Sequence, residues 1–217
     1  MNKVPRFRSL FASMRKLIMN EKKTADRRIR KTRLLLRQGL SKLMLKKSIK
    51  EITVKELTEL VDINRGTFYL HYKDIYDMVE KIESEIMEEF RIILDAYPTS
   101  QLQQSPLFLF TEIYTYLADH ADLCAAFLGE NGDIAFVEKL KGLVRDKCFR
   151  TWAVKYDKAD SRTFECFYAF VVSGHIGLIQ DWLASGMKES PEEIAALAEE
   201  MVLHGAAALE SSAQGEV

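Results

Sequence analysis

Proline and glycine are scarce, four and ten in 217 residues, and alternating runs of β-branched residues are nearly absent. That leaves little material for hairpins and sandwiches. Apolar residues recur instead at three and four, the period of amphipathic helices, so the expected fold class is all-α. The three cysteines, Cys124, Cys148 and Cys166, are odd in number and far apart, which speaks against a disulfide framework or a thiolate metal cluster. Each sits among apolar neighbours and reads as a small buried hydrophobe, in keeping with a cytoplasmic protein. No apolar run approaches the roughly 18 residues of a membrane span; the richest, around Phe164–Ile179, is broken by Glu165, Ser173 and His175. The first residues are basic, but no apolar core and cleavage site follow them, so no secretory leader is expected. A Gly-rich phosphate loop, a Gly-x-Ser-x-Gly elbow and a His-Glu-x-x-His pair are all missing. Accordingly no catalytic residue, no metal site and no cofactor is expected, and the chain does not read as an enzyme.

What is present is charge, and it is unevenly placed. The formal net charge is −1, yet residues 1–73 hold 20 of the 31 Lys and Arg and only 6 of the 32 Asp and Glu. A head of net charge +14 is therefore joined to a body of −15. This is the footprint of a segment that binds a polyanion and a body that does not. A basic disordered tail has the same charge but not the helical pattern that runs through this head.

Nine helices are expected, at about 25–47, 53–61, 64–72, 75–97, 106–119, 121–128, 133–156, 162–185 and 191–210. Residues 1–24 form a basic arm, and Met19 opens a run that would itself make a plausible N-terminus. In the first helix Ile29, Leu36, Leu40 and Leu43 lie on one face. Thr53 and Glu56 form a capping box for the second, with Ser48–Ile52 as a connector. Asp62-Ile63 makes a turn, and Asn64 caps the third helix. Residues 98–105 read as a polar loop. Gly186 closes the eighth helix, and Ser190-Pro191-Glu192-Glu193 is a second capping box with proline at the first helical position. The expected division is 1–24 arm, 25–85 DNA-binding domain and 86–217 regulatory and dimerisation domain, with the fourth helix belonging physically to both.

The stretch from Thr53 to Tyr72, TVKELTELVDINRGTFYLHY, resembles the helix-turn-helix signature of the TetR/AcrR family, whose recognition helix carries a basic-Gly-Thr-aromatic-Tyr-x-His-Phe string. Here that string is Arg65-Gly66-Thr67-Phe68-Tyr69-Leu70-His71-Tyr72, and the likeness covers about residues 25–90. The resemblance implies double-stranded operator DNA as the partner, with Thr53, Lys55, Asn64, Arg65, Gly66, Thr67, Tyr69, His71, Tyr72 and Lys73 as the contact set. Arg65 and Thr67 lie on the turn that reaches base edges, and Tyr69 and His71 can donate to phosphates. Gly66 lets the helix approach the duplex closely, while Phe68 anchors it on Leu57 and Val61. Two departures stand out. Asp62 occupies the turn position where the family has glycine, and Ile75 stands where it has a phosphate-directed lysine, leaving Lys73 as the substitute.

Residues 174–183, Gly186 and residues 190–194 resemble the C-terminal helices of a Gram-positive subgroup of the family that includes dihydroxyacetone kinase regulators. The resemblance implies a homodimer and an unidentified small-molecule effector. Candidates for lining an effector pocket are Phe108, Tyr114, Phe127, Trp152, Phe167 and His175, although helical spacing alone also allows each to be core. Phe170, Ile176, Ile179 and Leu183 leave a second apolar face on the penultimate helix, the expected dimer interface. The function expected is an effector-responsive regulator, repressing from a palindromic operator. The alternative is a coregulator of the same fold that works through protein partners.

Overall fold

A computed structural model describes residues 27–129, 131–152 and 161–214; the expected arm lies outside them. All regular structure among these residues is helical. The order is α1 (Arg27–Met44), a 3-10 turn (Ile49–Glu51), α2 (Val54–Leu60), α3 (Arg65–Tyr69), α4 (Ile75–Asp95), α5 (Thr99–Gln104), α6 (Leu107–Asp119), α7 (Ala121–Leu128), α8 (Ile134–Trp152), α9 (Ser161–Ala184) and α10 (Pro191–Gln214).

Helix α4 is the spine. Its buried apolar positions, Ile75, Met78, Val79, Ile82, Ile86, Phe90, Ile93 and Leu94, recur at three and four and give one stripe along the whole helix. The N-terminal half of that stripe covers the head, where Leu36, Leu40, Leu57 and Phe68 are fully buried. The C-terminal half belongs to the body. The buried residues form one continuous cluster from Leu36 to Ala198, because α1 packs on α7 as well as on α2. An ion pair from Arg37 on α1 to Glu85 on α4 closes the head from a third side.

In the body α6 lies along α10, and α9 packs on α7, α8 and α10. Glu199 on α10 fixes the start of α6 by accepting hydrogen bonds from the Leu107 amide (3.2 Å) and from the Ser105 hydroxyl. The α9–α10 turn is held by Trp182 Nε1 donating to the Glu189 carbonyl at 3.0 Å. Gly186 there adopts φ +83°, the left-handed conformation glycine enters without cost. The expected box at α10 forms reciprocally: Ser190 N donates to Glu193 at 2.8 Å, and Glu193 N donates to Ser190 Oγ at 3.2 Å.

Several expectations need correction. Residues 98–105 are not a plain loop: they hold α5, since Leu102 is drawn into the core beneath polar neighbours, and ten α-helices stand among the described residues instead of nine. Ile29 is exposed, so the buried stripe of α1 begins at Leu36. Glu56 does not close the box at α2, because its carboxylate takes the Lys47 ammonium at 2.6–2.7 Å instead. Cys124 is buried, and burial with the nearby Glu89 carboxylate pushes its thiol up to about 12; Cys166 is exposed. The side chain of Cys148 lies outside the described residues.

The contact between α1 and α2 runs through Gly39. A Cβ there would lie 2.9 Å from Leu57 Cδ1 and closer still to Val61 Cγ1. An exposed helical Gly→Ala change gains about 1 kcal/mol, while overpacking a tight contact costs about 1–3 kcal/mol. Gly39→Ala is therefore expected to lower stability on balance, by on the order of 1 kcal/mol, read as a fall in the denaturant midpoint. An unchanged or higher midpoint would show that α1 and α2 can separate freely.

Candidate nucleic-acid interface and interior cavity

Two short capped helices and the tight turn between them make the head's outer surface. Thr53 Oγ1 accepts from the Glu56 amide at 3.2 Å and starts α2; Asn64 Oδ1 accepts from the Gly66 amide at 2.7 Å and starts α3. The turn passes through Asp62 at φ +53°. This left-handed position explains the preference for glycine there, and aspartate is among the side chains that tolerate it. Beneath the turn the buried Thr58 hydroxyl donates to the Val54 carbonyl at 2.8 Å, and the Thr58 carbonyl accepts from the Ile63 amide. A Cβ on Gly66 would come within 3.2 Å of Asn64 Oδ1, so glycine there also keeps room for the cap.

With Phe68 fully buried, the three-and-four geometry of α3 turns its remaining side chains outward. Arg65, Gly66 and Tyr69 are exposed and Thr67 is half-exposed, beside exposed Thr53, Lys55, Asn64 and Lys73. His71 is half-exposed, and burial and then the Arg33 charge lower its pKa. Tyr72 is the exception in the expected contact set. Only 4% exposed, it packs 5.6 Å from the Phe68 ring, lies near the Arg37 guanidinium and sits under the Lys81 ammonium. It holds the end of α3 against α1 and α4.

Two surface residues were not foreseen. Arg33 on α1 reaches the neighbourhood of His71, an adjacency that only the fold creates. Leu70, the variable position of the string, is 81% exposed and stands next to Tyr69. At the start of α4, where Ile75 is buried, Asp74 and Asp77 occupy the turn; Asp77 accepts from the Lys73 amide and pairs with Lys81, and the Lys73 side chain stays exposed just ahead of the helix.

Inside the body lies a cavity of about 150 Å³. Its wall is almost all carbon, contributed by α4 (Phe90, Leu94), α6 (Leu109, Phe110, Ile113, Leu117), α8 (Val137, Leu140, Val144) and α9 (Phe167, Val171, His175, Ile176, Ile179). Of the residues expected at such a site, Phe167 and His175 line it. Tyr114 and Phe127 are fully buried away from it, packed edge-to-face on Trp182 and Phe136 respectively, and Phe108 is exposed on α6. The side chain of Trp152 lies outside the described residues. The residues expected to form a dimer face also divide. Ile176 and Ile179 face the cavity, Leu183 packs against the core, and Phe170 alone stands clear, 70% exposed. Beside Phe170 the outer surface of α9 carries Ser173, Gly174 and Gly177, followed on α10 by exposed Leu197 and Met201.

The resemblance read in the head has a counterpart in the body. Residues 104–204 match the model of a TetR-type family described as a transcriptional regulator C-terminal region. That match takes in most of the body of the chain and none of its head. Solved TetR-type structures share the chain's fold. NalD from Pseudomonas aeruginosa, described as the secondary repressor of the MexAB-OprM multidrug efflux pump, superposes with TM-score 0.55 and 16% identity over 83% of this chain and 98% of its own. A TetR transcriptional regulator from Streptococcus agalactiae gives 0.53 and 17% over 82% and 96%. The dihydroxyacetone kinase operon activator DhaS gives 0.51 and 12% over 83% and 97%. At these identities the likeness is one of fold. No curated protein matches the sequence. Among the described residues, no helix is long and apolar enough to cross a membrane.

Proposed function

We propose that this regulator binds a palindromic operator as a homodimer and releases it when an effector occupies the body cavity. The observation that carries the reading is the outward row of Arg65, Thr67 and Tyr69 on a helix whose cap, turn and buried anchor are all in place. Phosphate contacts from Tyr69, His71 and Lys73 set the register, with Arg33 adding charge beside them, and Arg65 with Thr67 reads base edges. Two heads must stand about 34–36 Å apart to enter successive major grooves. The cavity is walled partly by α4, the helix that also carries the head. An effector that fits one spacing of α4 better than the other lowers operator affinity by that difference. Repression is the proposed output, because blocking a promoter needs only occupancy.

The partner copy is proposed to cover Phe170, Ser173, Gly174 and Gly177 of α9 with Leu197 and Met201 of α10. Nothing lies within 4 Å of a Cβ built on either glycine, so a second pair of helices can approach closely there.

Arg65→Ala is expected to relax sequence preference, by about 1–3 kcal/mol at the base it reads. Tyr69→Phe should weaken matched and scrambled DNA alike. Titrations with both kinds of duplex check this. Unchanged operator binding by both variants would overturn the contact assignment and favour a coregulator that acts through protein partners.

A further inference from the structure

Among the described residues of the cavity wall, one polar atom is buried with nothing to bond. His175 Nδ1 lies 3.0 Å from the Val171 carbonyl one turn back on α9. A carbonyl only accepts, so Nδ1 carries the proton in this contact. Burial lowers the pKa of the ring, which therefore stays neutral at pH 7. Its proton is committed to Nδ1, and Nε2 is left as a bare acceptor. That atom is buried and has no hydrogen-bond partner. The ring is one of the cavity-lining side chains, packed 4.7 Å from Phe110.

The rest of the lining narrows the occupant. Lys141 and Lys147 stand at the cavity with their ammonium groups engaged, Lys141 by Glu138 at 2.7 Å and Lys147 by the Tyr97 carbonyl at 2.8 Å. The Tyr168 hydroxyl donates to the Lys141 carbonyl at 2.7 Å. Among the described residues no carboxylate lines the cavity, so none of them answers an ammonium group. An apolar cavity of this size takes a molecule as small as benzene.

From this geometry we infer that the effector is a neutral, apolar small molecule with a single hydroxyl, of the phenol or short alcohol kind, whose O–H donates to His175 Nε2. The inference rests on the proposed effector role of this cavity and supplies the chemistry that role lacks. An acceptor buried without a partner costs free energy. A hydroxyl donor removes that cost, while a hydrocarbon of the same shape does not.

The test uses p-cresol and toluene as a matched pair with the full chain, binding measured by calorimetry without DNA. The wild-type protein should bind p-cresol about five- to tenfold more tightly than toluene, the value of one neutral hydrogen bond. His175→Leu should abolish that preference while toluene binding persists, and the toluene arm reports that the cavity survived the substitution. Nitrogen NMR of the wild-type histidines gives a second measurement that needs no variant: Nδ1 protonated, Nε2 bare, and the Nε2 signal moved by p-cresol. Equal affinity for both ligands, or a preference that persists in His175→Leu, overturns hydroxyl recognition but leaves the cavity reading intact. Failure of both ligands to bind overturns the cavity reading as well. Loss of operator binding on its own touches neither result.

Discussion

Phe68→Ala is expected to remove about 3–5 kcal/mol of stability, the usual cost of truncating a fully buried aromatic. The ring is 0% exposed and packs against Tyr69 edge-on at 5.5 Å and Tyr72 at 5.6 Å. It is the one side chain of the five-residue α3 that is buried. A helix that short does not persist on its own, so α3 exists because Phe68 docks it. Typical domains hold only about 5–15 kcal/mol in total, so the loss is a large fraction of the whole. The continuous core predicts how the loss appears. Because α1 also packs on α7, damage to the head should lower the midpoint of a shared transition. Chemical denaturation followed by far-UV dichroism reads this directly. A loss below 1 kcal/mol would mean that α3 is held mainly by its cap and by Tyr72.

The second large effect is expected from a place that touches no DNA. Leu197→Glu combined with Met201→Glu puts two charges on the outer face of α10, where the wild-type side chains are 42% and 54% exposed. In an isolated chain such changes cost little, since neither side chain is buried. In a symmetric dimer each charge is buried twice without a partner. The double variant should sediment as a folded monomer with near-normal thermal stability. Its operator affinity should fall about 10²–10⁴-fold, the usual value of linking two binding modules. A variant that stays dimeric and keeps full operator affinity would place the interface elsewhere. Ile176 and Ile179, which the apolar pattern alone marks for the same role, are poor choices for this test: both line the cavity, and a charge there would disturb the body itself.

These two expectations differ in how far each was legible in the chain. Phe68 could be assigned inward from the string around it, and its burial follows. The outer face of α9 could not be assigned. That helix is apolar nearly all round, and periodicity cannot tell which side meets the body when both sides are apolar. Phe167 and Phe170 stand three residues apart with the same chemistry, yet one lines the cavity and the other is exposed. The same blindness explains the misplaced aromatics: Tyr114 and Phe127 are core because Trp182 and Phe136 arrive opposite them from elsewhere in the chain. It also explains the loop that became α5, since a single buried leucine among polar residues carries no period.

Local chemistry is what the sequence by itself determined. The caps at Thr53, Asn64 and Ser190, the turn through Asp62, the anchor at Phe68 and the all-helical class depend on residues within a turn or two of one another, and those contacts form wherever the chain goes. The split of charge between head and body is likewise a property of order along the chain. Only the tertiary structure decided the rest. Arg33 came to lie beside His71, Glu199 came to cap α6, Gly39 had to be bare where Leu57 and Val61 cross it, and His175 was left with a bare nitrogen among carbon walls. Each of these depends on which faces of distant helices meet, and that choice is made by packing summed over the whole core.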